Sequence, residues 1–248
     1  MISSVKKKCP VCNSYEVKDA FDLGLHPLAD TFLKKEDISK EIMLFPLVIR
    51  HCKKCSHVFN KIFIPPSKRY ADYDYSYETS NSKVAIEHFR EFAHFIIKTL
   101  NISNDSQIID IGGNDGTFLK FFRDFGNKSV LNIEPSQNIA KKSKKNGIKT
   151  ICNFFDKKII NKISKKKKSL IISANVLNHY DQVNEFFVNC KSILASQGGY
   201  IAIEVPDLEM LIKQSAFDTI YHEHVNYFSK KVLVSLFKKH SLDIISIT

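Results

Sequence analysis

The stretch "SQIIDIGGNDGTFLKFFRDFG", residues 106–126, decides the predicted fold. Its "IIDI" is an apolar run typical of a buried strand, "GGNDG" is a glycine-rich turn, and "TFLKFFRDF" reads as a helix that Gly126 closes. Such a turn lets backbone N–H groups approach a ligand closely at the start of a helix. The spacing D-x-G-x-N-x-G, from Asp110 to Gly116, departs from the dinucleotide fingerprint G-x-G-x-x-G. The turn alone therefore predicts a ligand site without identifying the ligand.

A second predicted strand places an acidic residue beside this turn. "SVLNIEPS" (129–136) is an apolar run that ends at Glu134. An acid about 20 residues beyond such a turn accepts both hydroxyls of a ribose, and it favours a free diol over a 2′-phosphate. The next run, "KTICNFFD" (149–156), predicts a strand and an aromatic pair, Phe154 and Phe155, placed to flank an adenine. Together these runs predict a nucleoside-containing cofactor.

The alternation of strands and helices predicts the fold class. "SKVAIEHFREFAHFIIKTL" (82–100) has helical periodicity, "KSLIISANVLNHYDQVNEFFVNCKSIL" (168–194) reads as strand, loop and helix, and "GGYIAIEVPD" (198–207) reads as a fifth strand. This order predicts a doubly wound parallel α/β sheet, in which ligands bind at the carboxyl ends of the strands. The polar residues near those ends are Asn175, His179, Glu204 and Asp207.

Four of the six cysteines occur as two C-x-x-C pairs, "CPVC" and "CKKC". Two such pairs supply four thiolates, which close a tetrahedral zinc shell and leave no position for catalysis. A thioredoxin-like redox site would instead need one C-x-x-C in a βαβ setting. His51 and His57 flank the second pair and are alternatives to a cysteine. The sequence predicts a small zinc module over residues 1–70, with Cys9, Cys12, Cys52 and Cys55 as ligands.

Composition excludes several classes of protein. The chain has 248 residues and a net charge of +11, from 37 Lys and Arg against 26 Asp and Glu. Much of the surplus lies in lysine-rich runs, "KKSKKNGIKT" and "ISKKKKS", which are typical of solvated loops and helix ends, and no nucleic-acid-binding motif accompanies them. No run of 18 apolar residues and no signal peptide is present. We expect a cytoplasmic protein that binds neither nucleic acid nor membrane.

Several motifs in one order resemble a known family. "DIGGNDGTFL", "NIEPS", "ANVLNH" and "EVPD" resemble the class I methyltransferases that use S-adenosylmethionine (SAM). The cysteine pairs, "YETSNS" (77–82) and "YHEH" (221–224) resemble one branch, the sugar C-methyltransferases that act on nucleotide-linked keto-deoxysugars. The resemblance implies a Rossmann-like methyltransferase domain over residues 71–248, with SAM as cofactor and a nucleotide-linked sugar as substrate. The cofactor contacts that it implies are Asp110, Gly112, Asn114, Gly116, Glu134, Pro135, Phe154, Phe155, Ala174 and Asn175.

The "YHEH" segment carries the candidate catalytic groups. A metal site of the H-E-x-x-H type is excluded because His222 and His224 are only two residues apart. Methylating a carbon beside a ketone requires a base for the α-proton and donors to the enolate oxygen. The resemblance implies His224 as base, Tyr221 and Tyr77 as donors to the keto oxygen or diphosphate, Glu223 as the residue that orients a histidine, and His179 in the same cleft. His222 is expected to be structural.

The resemblance also implies a longer chain. Members usually continue into a last sheet strand and a C-terminal α/β domain that helps to enclose the sugar nucleotide. Here "LFKKHSLDIISIT" (236–248) reads as a helix followed by a sixth strand. We expect a separate chain to supply the missing domain, or else a SAM-binding remnant without activity. A sugar O- or N-methyltransferase is the alternative enzyme, since it uses the same cofactor site but needs no enolate donors.

Overall fold

The computed structural model describes residues 3–29, 35–37, 39, 41–70, 76–163, 168–194 and 198–248. Its contacts divide the chain into two compact units. The first unit comprises Met1–Arg69, Leu177–Phe187 and Val205–Thr248, and the second comprises Tyr70–Val176 and Val188–Glu204. The sequence-based division into residues 1–70 and 71–248 has its boundary next to Arg69, where the first segment of the first unit ends. It assigns 177–187 and 205–248 to the methyltransferase domain, whereas by contacts they belong with the cysteine-containing segment.

The helices and strands follow the predicted alternation from residue 83 onward. The strands are β1 (Ser4–Val5), β2 (Val17–His26), β3 (Phe45–Cys52), β4 (Val58–Asn60), β5 (Ile62–Phe63), β6 (Gln107–Ile111), β7 (Ser129–Ile133), β8 (Thr150–Ile151), β9 (Ser169–Ala174), β10 (Gly199–Glu204) and β11 (Asn226–Tyr227). The helices are α1 (Pro66–Tyr70), α2 (Lys83–Leu100), α3 (Thr117–Asp124), α4 (Gln137–Lys145), α5 (Lys157–Ile160), α6 (Val183–Leu194), α7 (Leu208–Lys213) and α8 (Lys230–Lys239).

The second unit contains a parallel sheet with the strand order β10-β9-β6-β7-β8. The central strands read as continuous apolar runs because both faces of a parallel sheet are covered. Ile108, Ile109 and Ile171 accordingly have no exposed surface. Helices α2 and α3 contribute Ala93 and Phe122 to the same core. This arrangement confirms the predicted fold class, and it brings the carboxyl ends of β10, β9, β6 and β7 to one edge of the sheet.

The first unit contains an antiparallel sheet with the order β11-β4-β3-β2, together with the short pair β1–β5. Strand β11 pairs with β4 through Asn226 and Phe59. The "YHEH" loop precedes β11 and is therefore fixed beside the β3–β4 hairpin, whose turn contains the second cysteine pair. Val232 and Leu236 of α8 are buried and complete the core of this unit.

The predicted sixth strand is not formed. Residues 242–248 follow α8 without a strand, and Ile245 and Ile247 are 60% and 41% exposed. A strand needs a neighbour for its backbone hydrogen bonds, and among the described residues no strand pairs with this segment. No helix in the described part of the chain is both long enough and apolar enough to cross a membrane.

Candidate active site and metal centre

Two similar turns present the four cysteines. In the first, Asn13 N–H donates to the Cys9 carbonyl at 2.9 Å, and in the second Ser56 N–H donates to the Cys52 carbonyl at 2.9 Å. Asn13 and Ser56 follow the second cysteine of each pair, and both adopt left-handed backbone conformations, with φ of 61° and 64°. Each C-x-x-C turn therefore points its two thiols to one side.

The thiol geometry fits a tetrahedral metal ion. The Sγ atoms of Cys9 and Cys55 lie 3.6 Å apart, as do those of Cys12 and Cys52. All four lie within 4.8 Å of one another, and zinc–sulfur bonds of about 2.3 Å in a tetrahedron place sulfurs about 3.8 Å apart. A hydrogen bond from Cys9 lowers the pKa of Cys55 to about 5, which favours the thiolate that a metal requires. Among the described residues the cluster consists of the four cysteines, and neither His51 nor His57 belongs to it.

The glycine-rich turn after β6, called the cradle below, packs so closely against neighbouring side chains that a Cβ would collide with them. Gly112 and Gly116 have φ of 68° and 80°. A Cβ on Gly112 would lie 2.6 Å from Val176 Cγ2, and a Cβ on Gly113 would lie 2.6 Å from Asp110 Oδ2. The turn therefore requires glycine for its backbone conformation, and also because the neighbouring side chains leave no room for a Cβ.

Two buried carboxyl groups flank this cradle. Burial and the neighbouring Glu134 raise the pKa of Asp110 well above its usual value, and Asp110 Oδ2 has no hydrogen-bond partner within the described part of the chain. Glu134 accepts backbone hydrogen bonds from Asn114 at 3.1 Å and from Ser136 at 2.8 Å. Burial nevertheless raises the pKa of Glu134. An orphaned buried oxygen beside this turn fits a polar cofactor, and the backbone donors fix the predicted ribose acceptor, Glu134, in place.

Asn114, a predicted cofactor contact, binds a neighbouring backbone segment through its side chain. Its Oδ1 accepts from Thr79 N–H at 3.0 Å, and its Nδ2 donates to the Tyr77 carbonyl at 3.0 Å. Asp115 adds a bond from Ser80 N–H at 3.1 Å. The side chain of Asn114 thus binds the backbone of "YETSNS" rather than pointing into the cradle. Tyr77 itself is 48% exposed, so its ring remains accessible.

The turn after β9 is held by Glu204, at the end of β10. Asn175 has a left-handed φ of 56°, and its Nδ2 donates to Glu204 Oε1 at 2.8 Å. The other carboxylate oxygen of Glu204 contacts His88 Nε2 at 2.6 Å. The predicted contacts Ala174 and Asn175 therefore lie on a fixed turn at the same sheet edge as Gly112.

The other predicted cofactor residues differ in accessibility. Phe155 is 3% exposed and its ring belongs to the core, whereas Phe154 and Pro135 are half-buried. Since a ring must be reachable to stack on an adenine, Phe154 is the better placed of the predicted aromatic pair.

Tyr221 and His224 contact each other directly in the first unit. The hydroxyl of Tyr221 lies 2.7 Å from His224 Nε2, and His224 Nδ1 lies 2.9 Å from the Thr219 carbonyl. A carbonyl only accepts, so Nδ1 carries the proton of a neutral ring and Nε2 accepts from the Tyr221 hydroxyl. Burial lowers the pKa of His224 to about 4, which keeps the ring neutral at pH 7.

The remaining residues of this segment surround that pair. The ring of His179 lies 4.8 Å from that of His224, nearly perpendicular to it, and burial together with His224 lowers its pKa well below the usual value. Glu223 is 2% exposed. Both ring nitrogens of His224 contact other groups, whereas the backbone of Glu223 hydrogen-bonds to the ring of His179. His222 is 3% exposed and packs edge-on against Phe45, in keeping with a structural role.

The long-range contacts of Asn60, Arg69 and Asn226 to these segments were not predicted. These three residues are polar and almost completely buried. The sequence gives only a weak signal for them, since a polar residue inside a short strand or beside one reads as a turn or edge position.

Comparisons with known proteins agree with this geometry. A model described as "Methyltransferase domain" matches residues 84–247, more than half of the chain, and a zinc binding domain model matches residues 9–70. The C-methyltransferase NovU of Streptomyces niveus is 28% identical over 242 residues, which is 97% of this chain and 57% of NovU. The chain thus spans little more than half the length of this curated relative.

Solved structures share the fold. The plantazolicin methyltransferase BamL, in complex with SAH and a triazolic desmethylPZN analog, is 16% identical with a TM-score of 0.52, over 66% of this chain and 65% of that one. A SAM dependent methyltransferase from Archaeoglobus fulgidus is 15% identical with a TM-score of 0.50, over 62% of this chain and 68% of that one. The predicted class I fold is confirmed. With a parallel sheet, a glycine-rich cradle and a four-cysteine centre, the chain belongs to the methyltransferase domain family and carries a zinc binding domain.

Proposed function

We propose that the protein is a SAM-dependent C-methyltransferase that acts on a nucleotide-diphosphate-linked keto-deoxysugar. The observation that carries the proposal is the contact between Tyr221 and His224, with the Thr219 carbonyl fixing the proton on His224 Nδ1. It supplies an uncharged imidazole nitrogen that can take a proton and a hydroxyl that can donate one, side by side. These are the two groups that α-proton abstraction beside a ketone requires.

The cofactor is assigned to the cradle after β6. The proposal is supported by the glycine turn at the carboxyl end of β6 and by Glu134, an acidic residue at the end of the next strand, where an acid binds ribose hydroxyls in this type of fold. Asp110 contributes a buried oxygen that has no protein partner among the described residues. When bound, SAM supplies an electrophilic methyl group.

The residues of the first unit handle the proton. As the keto oxygen of the substrate becomes the acceptor for the Tyr221 hydroxyl, Nε2 of His224 is released from that hydrogen bond. Nε2 then takes the α-proton, and the electrons of the broken C–H bond form the enolate that Tyr221 stabilises. The enolate carbon would then accept the methyl group, for which bound SAM would be the donor. His179 lies against His224 as an uncharged ring, because burial lowers the pKa of His179 well below its usual value.

The substrate class rests on the resemblance of "YETSNS" and "YHEH" to sugar C-methyltransferases. The relative NovU is itself a C-methyltransferase. The net charge of +11 suits an anionic diphosphate. Because the chain spans 57% of NovU, a separate chain or a further segment is the proposed source of the remaining sugar contacts.

The test is incubation of the purified protein with SAM and a panel of nucleotide-linked 4-keto-deoxysugars in deuterated water, followed by mass spectrometry. A product heavier by one methyl group, with solvent deuterium on the carbon beside the ketone, is the expected result. His224→Asn should abolish the deuterium incorporation, whereas the control His94→Asn, an exposed position on α2, should not. A methyl gain without α-deuterium would instead indicate O- or N-methylation. Binding of SAM with neither change would indicate an inactive remnant.

A further inference from the structure

We infer that the zinc module positions the candidate catalytic residues through three buried side chains, Asn60, Asn226 and Arg69, which hold the backbone of the Tyr221–His224 loop and of the His179 segment. These three are called the carbonyl clamp below, because each donates to a backbone carbonyl beside a candidate catalytic residue. The inference rests on the proposed function for its catalytic meaning. Its structural content is independent of any activity.

Asn60 holds the loop at Tyr221. It lies at the end of β4 and is 2% exposed, and its Nδ2 donates to the Tyr221 carbonyl at 3.0 Å. Its backbone N–H donates to the Val225 carbonyl at 3.0 Å. Asn60 therefore hydrogen-bonds to the loop on both sides of His224. These two bonds fix the backbone positions of Tyr221 and Val225, and with them the distance between the Tyr221 hydroxyl and the His224 ring.

Asn226 links the metal turn to the His179 segment. Its Oδ1 contacts His57 Nε2 at 3.0 Å, and its Nδ2 donates to the Tyr180 carbonyl at 2.8 Å. His57 has no exposed surface and follows the zinc ligand Cys55 by two residues. Two hydrogen bonds, through the His57 ring and the Asn226 amide, thus connect the metal turn to Tyr180, the residue beside His179.

Arg69 holds His179 itself. Its guanidinium donates through Nη1 to the His179 carbonyl at 3.1 Å and through Nε to the Ile64 carbonyl at 3.1 Å, and it pairs with Asp181 through Nη2. Lys6 pairs with the other oxygen of Asp181 at 2.8 Å. After burial and His224, the charge of Arg69 is a further cause of the low pKa of His179.

The metal is connected to this clamp by the β3–β4 hairpin. Strand β3 ends at Cys52, whose N–H donates to the His57 carbonyl at 2.9 Å, and β4 carries Asn60 three residues after His57. A metal ion that joins this turn to the first cysteine pair therefore fixes the hairpin that holds Tyr221. Buried amides left without partners are costly, so the clamp has a strong preference for one loop conformation.

The experiment is long-range ¹H–¹⁵N NMR of the full, zinc-loaded chain labelled at histidine, which reports the tautomer of each ring. His224→Gln assigns the His224 signal. The native protein should show His224 as a single, neutral Nδ1–H tautomer at pH 7. Asn60→Ala should replace it by averaged tautomer shifts, because the Tyr221 hydroxyl no longer stays on Nε2. Asn127→Ala is the matched control, since Asn127 is 1% exposed and donates to the Ser103 carbonyl at 2.9 Å in the second unit.

Two further measurements guard against a merely unfolded variant. Arg69→Lys keeps the positive charge but cannot make the several simultaneous hydrogen bonds of the guanidinium. It should therefore shift the His179 signal while the far-ultraviolet circular dichroism spectrum stays native. Removal of zinc by a chelator should change the His224 signal as Asn60→Ala does. Unchanged His224 and His179 signals in folded clamp variants would overturn the inference, whether or not the protein methylates a sugar.

If the proposed function holds, folded clamp variants should lower kcat by about tenfold while KM for SAM stays the same. If the native protein is inactive but the clamp variants show the expected NMR changes, the proposed function is rejected and the inference about the clamp is retained. Loss of SAM affinity in step with kcat would overturn the inference, since it would show a general loss of folding.

Discussion

The hydroxyl oxygen of Tyr221 lies 2.7 Å from Nε2 of His224, and the two ring centroids are 4.1 Å apart. One proton is thus shared between the proposed base and the proposed enolate donor. The two roles can operate together only if a substrate oxygen replaces Nε2 as the acceptor of the Tyr221 hydrogen bond. His224 therefore becomes available as a base only when the ketone is correctly placed.

Tyr221→Phe should slow α-proton exchange of the keto sugar by about a hundredfold, since it removes a donor to the developing oxyanion. The rate of deuterium uptake from solvent measures this step without requiring methyl transfer. Tyr200→Phe is the control, because that hydroxyl lies on β10 and contacts Lys168. Equal rates in the two variants would remove Tyr221 from the mechanism.

Stability should fall as the pH is lowered through the range in which the unfolded chain binds protons to histidine. The pKa of His224 is about 4 in the folded protein, against about 6.5 when unfolded. Above pH 6.5 both states are neutral, and between about 6.5 and 4 the unfolded state binds the proton first, so stability is lost there. His224 should contribute on the order of 1 kcal/mol to the loss between pH 7.5 and 5.5. Urea unfolding of the native protein and of His224→Gln at both pH values measures this, and an identical pH effect in the two proteins would contradict it.

Loss of one thiol should release the metal and unfold the first unit. Cys12→Ser removes one of four sulfurs within 4.8 Å of one another, and structural zinc contributes directly to folding. Cys152→Ser is the control, because Cys152 is exposed and lies outside the cluster. Metal analysis should find one zinc per chain in the native protein and in the control, and a stoichiometric loss in Cys12→Ser. Retention of zinc by Cys12→Ser would reject the four-cysteine site.

Gly113→Ala should weaken SAM binding by at least about tenfold, or about 1.4 kcal/mol. A Cβ there would lie 2.6 Å from both Asn132 Oδ1 and Asp110 Oδ2, so the turn would have to move away from these buried side chains and its backbone would shift. Gly147→Ala is the control for a glycine substitution away from the cradle, since a Cβ there meets nothing closer than 3.4 Å. Calorimetric titration with SAM compares the two, and an unchanged affinity in Gly113→Ala would place the cofactor elsewhere.

Asn114→Ala should free the segment that carries Tyr77. The amide of Asn114 accepts from Thr79 N–H and donates to the Tyr77 carbonyl. Hydrogen exchange of the peptide spanning 77–82 should therefore accelerate in the variant, and SAM should no longer slow it. The same exchange rate as in the native protein would mean that Asp115 alone holds the segment.

Local patterns made much of the fold predictable. The apolar run before "GGNDG" and the periodic run after it correspond to β6 and α3, and Glu134 follows β7 as expected. These features depend on neighbours in sequence, so their pattern is visible in one chain. The two C-x-x-C turns are of the same kind, because their spacing already defines a ligand set.

The positioning contacts were not predictable in this way. Asn60 reaches Tyr221 across 161 residues and His57 reaches Asn226 across 169 residues. No periodicity links positions so far apart, and a single buried amide looks in sequence like any polar residue. The wrongly predicted sixth strand has a related cause, since an alternating run becomes a strand only when a neighbouring strand is present.

The first unit is assembled from segments that are far apart in the sequence, which has a consequence for biosynthesis. The cysteine turns leave the ribosome first, yet Lys239 binds the Val11 carbonyl across 228 residues. The backbone around Val11 therefore completes its hydrogen bonds only after α8 has been synthesised. Contacts that close such long loops slow folding. Nascent chains stalled before residue 205 should remain protease-sensitive at the N-terminal hairpin even with zinc present. Expression of the cysteine segment alone should consequently yield a metal-binding peptide without a finished core.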